Sequence, residues 1–350
     1  MKTRLAAVAV LLLALCALPF FVHSPYFLHL FILLFSSIAV GAAWNLIGGF
    51  AGQYSVGHSS YFGVGAYTTI ILLQRFNLAP WWGGIAAMAI SALVAVLIGA
   101  ICFRLRGPYF VLASIAVAEI LRLATLGGKQ LTNGAEGILT PDLIPLSIAG
   151  RQITDWSDKR PFYLMGLGLA TLCVLVNWVV SRRRLGYWLL AIREDQDAAN
   201  SLGIQLNKYK SIALVLSAML TALCGEFYAL YVGFIDPATV LGLELSVQIV
   251  LVCIIGGIGT VWGPVFGALL LVPLSEALRS NLISEGLFKL GLDRGSKAGA
   301  FLSENLAHAH VLIYGILVVL VILFMPEGVL GFLKRKTARK ARSETAGSAA

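Results

Sequence analysis

The chain has 350 residues, of which 59% are hydrophobic and only 12% charged, and its formal net charge is +9. Soluble domains carry about 25% charged residues, so a water-soluble globule is excluded: a core of this size could not enclose so much apolar surface. The apolar residues come in stretches of about 20, the length a helix needs to cross about 30 Å of hydrocarbon. The roughly ten-residue alternation of a transmembrane barrel is missing, and backbone satisfaction in lipid allows no third solution. The expected fold is an all-α integral membrane protein, a polytopic bundle of about ten spans with broken or re-entrant segments.

In chain order the predicted spans are 5–22, 27–48, 56–74, 82–103, 108–126, 162–180, 209–232, 244–260, 262–282 and 311–331. Lys2 and Arg4 followed by an apolar run can be read as a cleaved signal peptide. No small-x-small site follows, and the reading preferred here is a retained first span. Placing the N-terminus inside puts the basic clusters at 104–106, 182–184 and 334–342 on the cytoplasmic side, as the positive-inside rule requires. The net charge is then accounted for by orientation and anionic lipid, with no nucleic acid. Residues 1–333 form one transmembrane domain, and 334–350 a basic, disordered cytoplasmic tail. Residues 127–161 and 283–310 make outer loops, and 181–208 a long cytoplasmic connection.

Several segments carry candidate function. Gly48 to Gly65 is rich in Gly, Ser and Gln around His58. Gly weakens helices, and unwound backbone at membrane depth is tolerated where it lines a cavity. Gln53, Ser55, His58 and Ser59 can therefore line a substrate path, or can simply pack with His58 hydrogen-bonded inside the bundle. Glu119 and Arg122 lie three apart within a span, where charges are costly and face a partner or a wet cavity. They can pair with each other or meet the ammonium and carboxylate of a substrate. Glu226 offers the same choice, between packing or a partner-chain contact and substrate. Asn133 to Gly137 opens an outer loop, as a path cap or a plain turn. Gly256, Gly257 and Gly259 mark a second break before Pro264, either a tight turn or a re-entrant gate.

Residues 185–204 are too polar to span. Leu189, Ile192, Ala199 and Leu202 recur at near-helical spacing, and Arg193 and Asp197 are placed as an i,i+4 pair on the opposite face. An amphipathic cytoplasmic helix is expected, either lying on the membrane or docking a partner. No catalytic constellation accompanies it: there is no P-loop, no H-E-x-x-H and no paired Cys or His motif. Cys16, Cys102, Cys173, Cys224 and Cys253 all sit in apolar runs without metal-ligand spacing and read as small hydrophobes.

Asp197-Ala198-Ala199, three residues, then Gly203 resembles the E-A-A-x-x-x-G core of ABC importer permeases, with Asp for Glu and without the later Pro. The stretches 48–58 (GGFAGQYSVGH), 63–67 (GVGAY), 104–110 (RLRGPYF), 131–138 (LTNGAEGI), 191–195 (AIRED), 256–264 (GGIGTVWGP) and 325–328 (MPEG) carry the resemblance further. Together they resemble the M-type subunit of the branched-chain amino acid ABC transporter permeases, over most of the chain from Trp44 to Gly331. The resemblance implies a non-catalytic permease in a bacterial inner membrane. It implies a second permease chain, two cytoplasmic ATP-binding subunits and a periplasmic binding protein as partners. ATP would be used by those partners, with no cofactor on this chain. Arg193, Glu194, Asp195, Asp197, Ala198, Ala199 and Gly203 would then form the coupling contact with the ATPase. Related permeases carrying urea or short amides are an alternative, as is an ion-driven secondary transporter. No internal repeat of the kind common in the latter is visible.

Overall fold

The computed structural model describes residues 2–22, 24–140, 147–148, 151–152 and 158–279, with isolated positions from 315 to 331. The predicted loop 283–310, span 311–331 and tail 334–350 lie outside the continuously described residues.

Thirteen α-helices occur among the described residues: α1 (Lys2–Phe21), α2 (Pro25–Asn45), α3 (His58–Phe76), α4 (Pro80–Cys102), α5 (Pro108–Gly127), α6 (Lys129–Thr132), α7 (Lys159–Arg182), α8 (Arg184–Glu194), α9 (Gln196–Ser201), α10 (Leu206–Val232), α11 (Pro237–Leu241), α12 (Leu243–Gly256) and α13 (Gly263–Arg279). Local chemistry sets many of their ends. Proline opens α2, α4, α5 and α11, where its missing N–H is not needed and its fixed φ already suits the first turn. Asn77 and Gly233 close α3 and α10 in the left-handed conformation.

Five of these helices are long and apolar enough to cross a membrane: α2 with the turn that follows it, α4, α5, α7 and α10. The apolar part of α1, α12 and α13 are shorter. Helix α12 has 14 residues, about 21 Å of rise, which is too short to cross about 30 Å of hydrocarbon alone. The expected span at 244–260 is thus a half-length helix, stopped at Gly257, whose φ of 121° an ordinary residue avoids. The bundle is all-α and polytopic with broken segments, as its sequence predicts.

Helix α2 is the most enclosed of the five long helices and α5 the least. α10 packs on α2, α3 and α4; α7 lies along α2; α12 and α13 cover another side of α2. The α3–α10 crossing is made by backbone. A side chain at Gly225 would run into the carbonyl of Phe62, and one at Gly65 into the carbonyl of Ala222. Such close approach is how helices gain contact in lipid, where no hydrophobic drive brings them together. Two short ribbons sit outside the helices. β1 (Ile138–Leu139) pairs antiparallel with β4 (Phe234–Ile235), tying the segment after α5 to the end of α10; β2 (Ser147–Ile148) pairs with β3 (Arg151–Gln152).

Candidate functional site at the helix breaks

Helix α2 does not end cleanly. Leu46–Phe50 form a π turn, a feature that is rare and often marks a functional position. Residues 51–57 are non-helical and fully described, and α3 starts at His58. The break expected around Gly48 is therefore present. The second break, 257–262, lies against it. Asn45, wholly buried, donates through Nδ2 to Asn177 Oδ1 (3.1 Å) and to the Thr260 carbonyl (3.0 Å), and its Oδ1 accepts from the Gly259 amide (3.0 Å). Asn177 in turn donates to the carbonyls of Ala42 (2.6 Å) and Cys173 (3.0 Å). Both amides are fully used, so the network joins α2, α7 and the α12–α13 turn without an orphaned group. Any side chain at Gly49 would collide with Asn45, and any at Gly259 with Arg193.

Neither Asn45 nor Asn177 was singled out from the sequence. The available signal was a carboxamide inside an apolar run, where polar groups are expensive and seldom idle. Asn45→Leu leaves the Gly259 amide, the Thr260 carbonyl and Asn177 Oδ1 without their partner, at about 1–3 kcal/mol for each buried group left unpaired. The expected result is a lower unfolding temperature in mild detergent, read by the thiol reactivity of the buried Cys173 and Cys253 on heating.

His58 is buried at the start of α3. Its Nδ1 meets Ser55 Oγ at 3.0 Å and its Nε2 meets Ser217 Oγ on α10 at 2.8 Å; Ser217 donates to the Ala43 carbonyl at 2.7 Å. Ser59 Oγ donates to the Leu241 carbonyl (3.1 Å) and accepts from Ser246 (2.9 Å), while its amide donates to Ser246 Oγ (2.9 Å). Gln53 is buried and donates to the Ala51 carbonyl at 3.4 Å. These four residues gather around the non-helical stretch and bind protein groups. The cavity beside Ser55 has a volume of about 10 Å³, room for a single water at most.

The other candidates make their contacts outside this cluster. Arg122 and Glu119 pair with each other, Nε to Oε2 at 2.9 Å and Nη2 to Oε1 at 2.5 Å, on a partly exposed face of α5. Glu226 packs its carboxylate against Gly84 of α4. Asn133 is exposed in a left-handed turn (φ 56°), where its carbonyl accepts from Glu136.

The connection after α7 differs from the expected single helix. Asp195 is extended (φ −154°, ψ 115°), and its carboxylate accepts from the amides of Asp197 (2.8 Å) and Ala198 (3.0 Å). It ends α8 and caps α9. An i,i+4 pair needs one continuous helix, so Arg193 and Asp197 are not partners. Asp197 pairs with Arg106 at 2.9 Å. Leu189, Ile192 and Ala199 are buried as expected, but Leu202 follows the end of α9 and is 82% exposed. Glu194, Asp195, Asp197, Ala198 and Gly203 also face outward. Among the charged candidates of this connection, Arg193 turns inward: its Nη1 donates to the Gly49 carbonyl at 2.8 Å, its stem lies against Gly52, and its guanidinium abuts Gly259. One side chain thus links the outward-facing helix pair to both breaks.

Residues 26–325 match the family model described as branched-chain amino acid transport system / permease component. The chain belongs to this permease family. The permease is 30% identical over 296 residues to the high-affinity branched-chain amino acid transport system permease protein LivM of Escherichia coli (strain K12), which covers 79% of the chain and 69% of that relative. Against LivM of Salmonella typhimurium identity is also 30%, over 260 residues, with 69% of the chain and 61% of the relative covered. The autoinducer 2 import system permease protein LsrC of Klebsiella pneumoniae is 28% identical over 200 residues, 54% of the chain and 53% of the relative. No solved structure gives a significant match to the permease.

Proposed function

We propose that the permease is the M-type membrane subunit of an ATP-driven importer that carries branched-chain amino acids across a bacterial inner membrane. In this reading it pairs with a second permease chain and two cytoplasmic ATP-binding subunits, and receives its cargo from a periplasmic binding protein. It performs no covalent chemistry and binds no cofactor, and ATP is hydrolysed on the partner subunits. The cargo assignment draws its support from the LivM relatives.

The observation that carries the mechanism is the Arg193–Gly49–Gly259 contact. Helices α8 and α9 lie at the cytoplasmic end, where exposed Tyr187, Glu194, Asp197, Leu202 and Gly203 meet the ATPase. Movement of that subunit pulls on Arg193, and Arg193 pulls on the two places where the transmembrane helices are already interrupted. The stretch 51–57, with Gln53, Ser55, His58 and Ser59, lines the path. With about 10 Å³ beside Ser55, an amino acid passes between these helices only when α3, α5 and α10 separate, and binding partners bias that opening.

Co-expression of the tagged chain with its native neighbours tests this. Co-purification of a second polytopic chain and a P-loop ATPase pair, and ATP-dependent uptake of leucine, isoleucine and valine into proteoliposomes, are the expected results. Uptake by the chain alone in ATP-free vesicles would instead establish an ion-driven carrier. The likeness to LsrC makes cargo choice within the family a separate question. Competition by urea, short amides or the autoinducer, and not by branched-chain amino acids, would change the substrate while leaving the importer intact.

A further inference from the structure

A cavity of about 570 Å³ opens behind α9, between the α4–α5 turn and the start of α10. Arg104, Arg106, Lys208 and Lys210 line it together with the amides Gln196 and Asn200, and among the described residues no carboxylate lines it. Arg106 is partly compensated by Asp197 at the cavity's edge, in a pair whose two side chains are both exposed. Lys210 is 1% exposed, and its Nζ donates to Gln196 Oε1 at 2.8 Å beside the Phe103 ring. An ammonium withdrawn from water needs an opposite charge to offset its lost hydration, and a carboxamide oxygen supplies only a dipole. The cavity therefore presents a buried cation, two exposed cations and a half-compensated guanidinium to a shared empty space, with amide donors beside them.

We propose that this cavity binds a phosphate group, carried either by the headgroup of an anionic phospholipid or by a soluble phosphate compound. A tetrahedral oxyanion suits the site because guanidinium groups grip it through paired N–H donors while lysines serve as point charges. Its position gives binding a consequence. The bound group touches the α4–α5 turn, α9 and α10 at once, and so clamps the helix that carries Asp197 and Ala198. That consequence rests on the proposed coupling role of α8–α9, whereas the binding itself does not.

The test is a thermal-unfolding titration of the full chain, and of the complex in which it purifies, after delipidation. The probes are dioctanoyl phosphatidylglycerol, inorganic phosphate, and dioctanoyl phosphatidylcholine as the zwitterionic control. Stabilisation that saturates with phosphatidylglycerol but not with inorganic phosphate identifies a lipid headgroup; the reverse identifies a soluble ligand. In either case the double variant Arg104→Gln/Lys208→Gln, both sites exposed, loses roughly tenfold or more in apparent affinity, the effect of removing two charge-assisted contacts. Equal shifts with all three probes, an unchanged double variant, or binding to the free chain that vanishes in the complex overturns the proposal. The last result means that a partner protein fills the cavity. None of these readouts involves transport, so failure of the importer reading would leave the binding result standing.

Discussion

In the importer proposed above, Arg193→Ala is expected to cut coupled uptake roughly tenfold to hundredfold while leaving the assembled complex and its ATP hydrolysis in place. The guanidinium makes one charge-assisted bond to the Gly49 carbonyl and abuts Gly259. Bonds of that kind contribute about 1.5–3 kcal/mol, which corresponds to roughly a tenfold to hundredfold shift in an equilibrium between two arrangements. The outward-facing residues of α8 and α9 are untouched by the change, so docking persists. Measured in proteoliposomes, uptake per ATP hydrolysed falls by about that factor. Arg193→Lys keeps the charge but loses the planar fork, and recovers only part of it. Unaltered uptake in Arg193→Ala would show that force reaches the bundle by another route. Loss of the ATPase from the purified complex would show that Arg193 serves docking instead.

Gly225→Leu prevents the bundle from assembling. At this point α3 and α10 touch through backbone, and the first carbon of any side chain would overlap the Phe62 carbonyl. Overpacking a core commonly costs about 1–3 kcal/mol when side chains can shift. Here the obstacle is main chain in a helix, and Gly65 closes the same crossing from the other side, so the two helices must part. The yield of monodisperse protein in mild detergent is expected to collapse, and protease sites within α10 to become cleavable. Gly168→Leu serves as the control: that residue is exposed on α7, with no neighbouring atom near the added carbon. Equal yields for both variants would remove the α3–α10 crossing from its central place in the fold.

The span positions were legible because lipid imposes length, and proline and charge mark the ends. The predicted 108–126 and 209–232 fall on helices Pro108–Gly127 and Leu206–Val232. The two interruptions were legible as glycine clusters. What they do for each other was not. Asn45 and Asn177 stand 132 positions apart, and nothing local in either says that they share a bond. Arg193 was read by spacing, which placed it with Asp197. A single carboxylate, Asp195, overrides that spacing by capping a new helix, and the two side chains then point to different partners. Helical periodicity predicts neighbours only while the helix lasts. Nothing in the sequence marks Lys210 for burial. Its burial against Gln196 depends on how the turn at 202–205 folds back, which composition does not encode.

The π turn at Leu46–Phe50 has a mechanical meaning. A ring closed from residue i to i+5 holds one residue more than an α turn. If that turn relaxed to ordinary α geometry, one residue would pass into the stretch 51–57, and everything beyond it would advance by about 1.5 Å and swivel by about 100°. Arg193 holds the carbonyl of Gly49, inside that turn. The chain thus keeps a single residue of slack, wound like one extra tooth on a gear, beside the side chain best placed to release it.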